Sequence, residues 1–174
     1  GYYLITFSAG HDTTKNALVS GMRAFLENPD QFEKLKREPE LLDAAVEEVV
    51  RWSSPVNHMK RKVTRDYELR GQKLRAGDWR GMFYAAANRD EEIFEAPFDF
   101  RIDRIPNRHL GFGIGEHFCL GSNLARMELR KIFTGIMSRL PDMEIVDPPR
   151  RLRSNFINGV KELRVKFTPQ PVSR

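Results

Sequence analysis

Apolar positions at helical spacing dominate the start of the chain. Leu18, Met22 and Phe25 recur three or four residues apart, which predicts one face of a helix over residues 1–27. The pair Asn28-Pro29 ends this pattern. No Ser, Thr, Asp or Asn precedes the helix to satisfy its first free N–H groups, so we expect the chain to be the remainder of a longer one.

Two shorter helices follow. Asn28 as a cap and Pro29 in the first turn predict a helix to Arg37, with Phe32 and Leu35 facing inward.

A third helix is predicted over residues 39–52. It opens at Glu38-Pro39, and its apolar face includes Leu42, Val46 and Val49. The segment Trp52-Ser53-Ser54-Pro55 ends it.

The pattern then changes to short alternating runs. Residues 56–86 contain turn signals at Gly71-Gln72 and Ala76-Gly77-Asp78, which predict a hairpin-rich sheet. Residues 88–110 lack periodicity and are predicted to cover a core as an irregular, ordered segment.

A strong helix and a final strand complete the pattern. Leu163, Val165 and Phe167 alternate as a last strand, and a loose tail is expected over residues 169–174. The helix before them has an apolar face made of Leu129, Ile132, Phe133, Ile136, Met137 and Leu140. The chain is therefore predicted to be mainly α with small β-sheets.

Composition narrows the possible functions. The 174 residues include 29 Lys and Arg against 24 Asp and Glu, a net charge of +5, with no basic block longer than three residues. A nucleic-acid partner is not favoured by so modest a surplus. No apolar run approaches the roughly 18 residues of a membrane span, and no secretory signal is present, so a cytoplasmic location is expected.

The single cysteine, Cys119, is the main candidate for chemistry. It excludes an intramolecular disulfide, and with His109 and His117 it offers too few ligands for zinc. Glycines at positions 111, 113 and 115 precede it and allow positive φ angles and close approach to a flat ligand. A thiolate at a helix N-terminus suits an axial bond to haem iron, whereas the alternative is an inert buried thiol.

Three motifs carry a resemblance to a known family. The segment Phe112-Gly113-Ile114-Gly115-Glu116-His117-Phe118-Cys119-Leu120-Gly121 resembles the Phe-Gly-x-Gly-x-His/Arg-x-Cys-x-Gly signature of the cytochrome P450 superfamily. Glu48-Val49-Val50-Arg51 is similar to that family's Glu-x-x-Arg motif. Ala9-Gly10-His11-Asp12-Thr13-Thr14 is similar to its oxygen-activation motif.

The resemblance implies the C-terminal part of the cytochrome P450 fold, with the N-terminal half absent. Its segments would be an oxygen-activation helix over 1–27, the Glu-x-x-Arg helix over 39–52, a β-rich segment over 56–86, a meander and cysteine loop over 88–121, and a following helix with terminal strands over 120–168.

The resemblance also implies roles for individual residues. Asp12 would deliver protons, Thr13 would hold the bound oxygen, and Cys119 would bind the iron of haem b (iron protoporphyrin IX). Further haem contacts would come from Ala9, Arg61, Phe112, Gly113, His117 and Gly121, with Arg61 and His117 on the propionates and Phe112 shielding the thiolate.

Two other sets of residues follow from the same resemblance. Glu48 and Arg51 would form a buried structural ion pair, with Asp99 at the position of the family's third, arginine partner. Taken alone, such a pair is usually a solvated surface pair. The substrate would be lined by Val56, Asn57, Phe156 and Ile157.

The implied activity is monooxygenation of a small apolar substrate such as a sterol, terpenoid or fatty acid, using O2 and two externally supplied electrons. An acidic ferredoxin or flavodoxin would be attracted by basic residues at positions 108, 126, 130 and 131, unless these form a solvated charge run. The chain alone is expected to be inactive without its N-terminal half. The alternative is a non-catalytic remnant or helical interaction domain with an incomplete haem site.

Overall fold

Helices carry most of the regular structure. In the computed structural model, which describes residues 1–169, the helices are α1 (Tyr2–Glu27), α2 (Pro29–Arg37), α3 (Leu42–Ser53), α4 (Tyr84–Ala87) and α5 (Ser122–Arg139). Short 3-10 turns occur at Pro39–Leu41 and Gly115–His117. The expected tail over 170–174 lies outside the described residues.

The core forms where α1, α3 and α5 meet. Phe25 is fully buried, and its ring centroid lies 5.5 Å from that of Phe32, 5.2 Å from that of Phe100 and 5.5 Å from that of Phe133. Such tilted and edge-on aromatic contacts stabilise a core beyond the apolar area that they bury. Leu35 is also buried, as the periodicity predicts.

One glycine allows the helices to approach closely. A Cβ atom at Gly21 of α1 would lie 2.6 Å from Val49 Cγ1 of α3 and 2.9 Å from Phe133 Cζ of α5. Any larger side chain would push these helices apart, so the three-helix contact depends on this position.

The helix predictions needed two corrections. Asn28 does not cap α2 with its side chain, because its Nδ2 donates instead to the Ala24 carbonyl at 2.8 Å. Ile132 was predicted on the buried face of α5 but is exposed, whereas Leu129 and Phe133 are buried there. The uncapped beginning of α1 is confirmed.

Eight short strands pair antiparallel in two-stranded sheets within residues 1–169. The partners are β1 (His58–Lys62) with β4 (Trp79–Phe83), β2 (Tyr67–Leu69) with β3 (Gln72–Leu74), β5 (Glu144–Ile145) with β8 (Val165–Lys166), and β6 (Arg150–Arg151) with β7 (Val160–Glu162). Gly71 and Gly77 take positive φ angles at the predicted turns. The fold is therefore mainly helical with small sheets, as predicted.

The strand boundaries differ from the prediction in two places. Residues 84–86 belong to α4 rather than to the sheet. Of the single strand expected at 163–167, only β8 (Val165–Lys166) forms, and it pairs with β5, whereas β7 ends at Glu162 and pairs with β6. Local alternation of apolar residues cannot reveal such a change of distant partner.

Residues 88–110 contain no helix and no strand, as predicted for an irregular covering segment. Phe94, Phe100 and Ile102 from this segment are nevertheless buried. Among residues 1–169, no helix combines the length and apolar character that crossing a membrane requires.

Candidate functional site

The cysteine loop, residues 111–121, leads into α5. Cys119 is a free, exposed thiol, and its backbone N–H donates to the Phe112 carbonyl at 2.9 Å. Its own carbonyl accepts the N–H of Ser122, the first residue of α5, at 3.2 Å. These bonds fix the backbone on both sides of the sulfur.

The three loop glycines that precede Cys119 serve different purposes. Gly113 and Gly115 have φ angles of 73° and 74°, which favour glycine. Gly111 does not have a positive φ, but a Cβ atom there would lie 2.5 Å from Val50 Cγ1. The loop therefore turns at two glycines and lies tightly against α3 at the third.

The donor set at the loop fits a porphyrin-bound iron. Cys119 offers one sulfur, and within residues 1–169 no three His, Cys, Asp or Glu side chains gather as a metal site would need. A protein zinc site takes three or four protein ligands, whereas a porphyrin brings its own nitrogens and needs one axial ligand. Ile114 and Leu120, 72% and 92% exposed, supply apolar surface on the same loop.

The oxygen-activation segment lies within an uninterrupted part of α1. The Thr13 hydroxyl donates to the Ala9 carbonyl at 2.6 Å, the back bond that the sequence suggests. Asp12 is exposed and accepts from Lys15 Nζ at 2.8 Å, and this hydrogen bond lowers the pKa of Asp12. Among the described residues, no hydrogen bond or ion pair joins this segment to the cysteine loop.

The structure brings the two predicted substrate-lining segments together. Val56 and Ile157 form an isolated antiparallel bridge, and the Asn57 N–H donates to the Phe156 carbonyl at 2.8 Å. These contacts join residues about 100 positions apart in sequence. His58 lies beside them, with its ring centroid 6.1 Å from that of Phe156.

Arg61 and His117 lie apart from these contacts. Arg61 stands on β1 opposite Arg80, and its Nη1 donates to the Lys60 carbonyl at 3.0 Å. His117 is exposed at the end of a 3-10 turn in the cysteine loop. Within residues 1–169, no hydrogen bond links the two side chains.

Glu48 and Arg51 form a fully buried ion pair. Both side chains are 0% exposed, and Arg51 Nε and Nη2 donate to the two Glu48 oxygens at 2.7 Å each. The remaining Arg51 donors bond to backbone carbonyls of Asn88, Pro97 and Asp99 at 2.8, 2.8 and 3.0 Å. All five guanidinium N–H groups are thus used, which is what a buried charge requires.

Arg104 is the third charged residue of this network, together with Glu48 and Arg51. Its Nε lies 3.2 Å from Glu48 Oε2, and it also donates to the carbonyls of Glu95, Ala96 and Asp99. Asp99, which occupies the position of the family's arginine, contributes its backbone carbonyl rather than its side chain. The network therefore has an arginine partner five residues beyond the expected position.

A second network centred on Glu47 was not identified from the sequence. Glu47 accepts from Arg126 Nε and Nη2 at 2.5 and 2.8 Å and lies 3.0 Å from His109 Nε2. Burial alone would raise the pKa of Glu47, but the hydrogen bonds from Arg126 and His109 outweigh it and lower the pKa to about 2. The partners lie 62 and 79 residues away, so no local pattern could reveal them.

The predicted basic cluster is partly neutralised by these contacts. Arg126 is bonded to Glu47, and Arg130 to Asp43 at 3.0 Å. The hydrogen bonds to Glu47 and the charge of that carboxylate raise the pKa of Arg126. A partner of this surface would therefore meet fewer unpaired charges than the sequence suggests.

Comparison with known proteins gives a consistent result. The sequence model of the family described as Cytochrome P450 matches residues 3–167. Steroid C26-monooxygenase of Mycobacterium tuberculosis H37Rv is 44% identical over 171 residues, covering 97% of this chain and 39% of the relative. Cytochrome P450-terp of a Pseudomonas species is 41% identical over 167 residues, covering 96% of this chain and 39% of that protein.

Solved structures agree with the sequence comparison. CYP109E1 from Bacillus megaterium in complex with testosterone is similar with a TM-score of 0.93 at 40% identity, covering 96% of this chain and 47% of that structure. A Mycobacterium marinum cytochrome P450 in complex with pseudoionone also has a TM-score of 0.93, at 39% identity, covering 95% of this chain and 40% of that structure. The chain thus spans about two fifths of the length of the curated relatives it matches.

Proposed function

Because the chain belongs to the cytochrome P450 family, we propose that it forms the haem-binding and oxygen-activating portion of a monooxygenase. The observation that carries this proposal is the exposed Cys119 on a glycine-turned loop at the entry to α5. A chain that spans two fifths of its relatives needs the remaining portion to enclose a substrate, so we expect this portion alone to lack turnover.

Haem b would be held by residues from several parts of the chain. Cys119 Sγ would bind the iron, and Arg61 and His117 would bind the propionates. The other contacts would come from Ala9, Phe112, Gly113 and Gly121. Haem bound in this way supplies the reductive activation of O2, which a thiolate ligand promotes.

Asp12 and Thr13 would handle protons on the oxygen-binding side. Asp12 is exposed beside Lys15, so its carboxylate can exchange protons with water. The Thr13 Oγ1 donates to the Ala9 carbonyl, and its lone pairs remain able to accept a further hydrogen bond. Asp12 would therefore deliver protons, and Thr13 Oγ1 would hold the bound oxygen.

The substrate would be a small apolar molecule of the sterol, terpenoid or fatty-acid type. The joined segments of Val56 with Ile157 and Asn57 with Phe156 would form part of its pocket. Their backbone bonds leave the apolar side chains of Val56, Phe156 and Ile157 as the recognising groups. The names of the relatives, a steroid C26-monooxygenase among them, support this class.

Electrons would come from an external donor such as an acidic ferredoxin or flavodoxin. Arg108 and Lys131 would supply the main attraction, because Arg126 and Arg130 are paired with Glu47 and Asp43. Raising the salt concentration should therefore slow electron delivery.

The decisive experiment is the absorption spectrum of the reduced, CO-bound protein, recorded with and without the N-terminal portion of a relative. We expect a red-shifted, thiolate-type Soret band that is lost in Cys119→Ser and retained in Met127→Leu, a control for sulfur elsewhere on the chain. Absence of haem uptake in both conditions would support the alternative, a non-catalytic remnant.

The role of Thr13 can be tested in the assembled protein. Thr13→Ala should raise peroxide release relative to hydroxylated product. Ser8→Ala is the matched control, because Ser8 makes the same type of back bond to Leu4, at 2.8 Å, one turn earlier. Unchanged coupling in Thr13→Ala would remove Thr13 from the mechanism.

A further inference from the structure

Glu47 and Glu48 are neighbours on α3, but their carboxylates enter separate networks. Glu48 binds Arg51 and Arg104, together with the Arg101 N–H at 2.9 Å, and so fastens the irregular segment to α3. Glu47 binds His109 and Arg126 instead. Successive helical residues point in directions about 100° apart, so one helix can serve both networks.

His109 connects Glu47 to the beginning of the cysteine loop. Its side chain is 3% exposed, and its Nδ1 accepts the Gly111 N–H at 3.0 Å. The ring proton therefore lies on Nε2, which donates to Glu47 Oε2 at 3.0 Å. The imidazole has one orientation and one tautomer that satisfy both contacts.

Arg126 connects Glu47 to Phe112 in the cysteine loop. It extends from α5, donates twice to Glu47, and lies 4.4 Å from the Phe112 ring centroid. The Phe112 carbonyl in turn accepts the Cys119 N–H. The guanidinium is thus held in one plane by the carboxylate and covers the residue that fixes the cysteine backbone.

We propose that Glu47, His109 and Arg126 form a loop clamp, a set of positioning residues that fixes the cysteine loop against α3 and α5 and thereby directs Cys119 Sγ. The clamp itself is a property of this chain without any ligand, whereas its effect on haem ligation rests on the proposed function. None of the three residues needs to contact the haem.

A second ion pair provides a matched control. Asp43 and Arg130 also join α3 to α5, but Asp43 is exposed, and no hydrogen bond or ion pair within residues 1–169 joins either side chain to the cysteine loop. If Glu47 only held the two helices together, Asp43→Asn and Glu47→Gln would affect the same segments of the chain, and only the magnitude of the two effects would differ.

Amide hydrogen exchange of the haem-free chain, read by mass spectrometry, tests the clamp directly. Glu47→Gln and His109→Phe should make amides in residues 109–121 exchange about tenfold faster, because each removes hydrogen bonds that hold the loop. Asp43→Asn should leave this segment unchanged. His109→Gln can both accept and donate, so it should restore much of the protection.

The haem-loaded protein gives an independent measurement. In Glu47→Gln and His109→Phe, a smaller share of the reduced, CO-bound complex should show the thiolate-type Soret band, and His109→Gln should recover it. If the unmodified chain takes up no haem either with or without the N-terminal portion of a relative, the proposed function fails, but the exchange experiment still decides the clamp. Exchange that is unchanged, or faster throughout α1 to α3 as well, would overturn it.

Discussion

At the scale of single residues, buried charge is tolerated here only because every donor has an acceptor. Arg51 uses all five N–H groups on Glu48 and three carbonyls. The planar fork of a guanidinium matches this arrangement, and a lysine ammonium has three donors at one point. The pair therefore depends on the shape of the cation as well as on its charge.

Arg51→Lys should lower the free energy of unfolding by about 3 kcal/mol, because a lysine has three donors in place of five and leaves at least two of the buried hydrogen bonds from residue 51 unmade. Urea denaturation measures this change. Arg70→Lys, in the exposed pair with Glu92, is the control and should leave the midpoint unchanged. A comparable midpoint for both variants would contradict the assigned role of Arg51.

The pH dependence of stability should reveal Glu47. Its pKa in the folded chain is about 2, below the ordinary value of 4.5, so its contribution is fully present above about pH 4.5 and is lost as the pH falls towards 2. The difference in free energy of unfolding between the unmodified chain and Glu47→Gln should therefore shrink over that interval. A difference that stays constant down to pH 2 would show that the charge of Glu47 is not responsible.

The sequence reveals local pairs and misses distant ones. Glu48 and Arg51 are three residues apart on a helix, so their proximity follows from helical geometry. Arg104 could not be identified in the same way, because an irregular segment has no period that relates it to α3. The motif also pointed to position 99, where the backbone rather than the side chain is used.

At the scale of elements, helix contacts are set by the smallest side chains. Gly21 permits α1 to touch Val49 of α3 and Phe133 of α5, whereas a Cβ atom at Gly135 of α5 would meet no atom of the described residues within 4 Å beyond its own helix backbone. The two glycines lie in helix interiors but serve different needs. Their alanine variants should therefore change stability in opposite directions.

Gly21→Ala should destabilise the chain by about 1–3 kcal/mol through overpacking. Gly135→Ala should stabilise it by about 0.5–1 kcal/mol, because alanine restricts the unfolded chain and fits the helix. Thermal or urea unfolding of the two variants provides the comparison. Stabilisation by both substitutions would mean that α1 can shift away from α3 without cost.

Helices were predicted better than strands for a physical reason. A helix closes its hydrogen bonds within four residues, so apolar spacing marks α1, α2, α3 and α5 from the sequence alone. The two last strands, β7 and β8, lie close together in sequence but pair with different partners, β6 and β5. That choice is made by contacts far along the chain, which local alternation does not contain.

At the scale of the whole molecule, apolar surface is unevenly distributed. Tyr2, Tyr3, Leu4 and Phe7 are all largely exposed on the first turns of α1. A groove of about 580 Å³ runs between α1, α5 and the terminal strands, with Met22, Ile136 and Val160 among its lining. Exposed apolar surface of this kind favours association with other apolar groups.

The chain should therefore bind an apolar fluorescent dye while remaining folded. Replacing Leu4 and Phe7 by Ser should reduce the dye fluorescence without lowering the helical circular dichroism signal. Ile105→Ser is the control, since Ile105 is equally exposed but lies outside α1. An equal reduction in both variants would show that the dye does not favour the start of α1.

The adjacent glutamates of α3 have a consequence for how this sequence can vary. Because both networks depend on the rotational position of one helix, inserting or deleting a single residue between Leu42 and Glu47 would turn both carboxylates by about 100° relative to the start of the helix. The irregular segment and the cysteine loop would lose their anchors together. Substitutions can alter either network alone, so diversity at this helix should accumulate by replacement while its length stays constant.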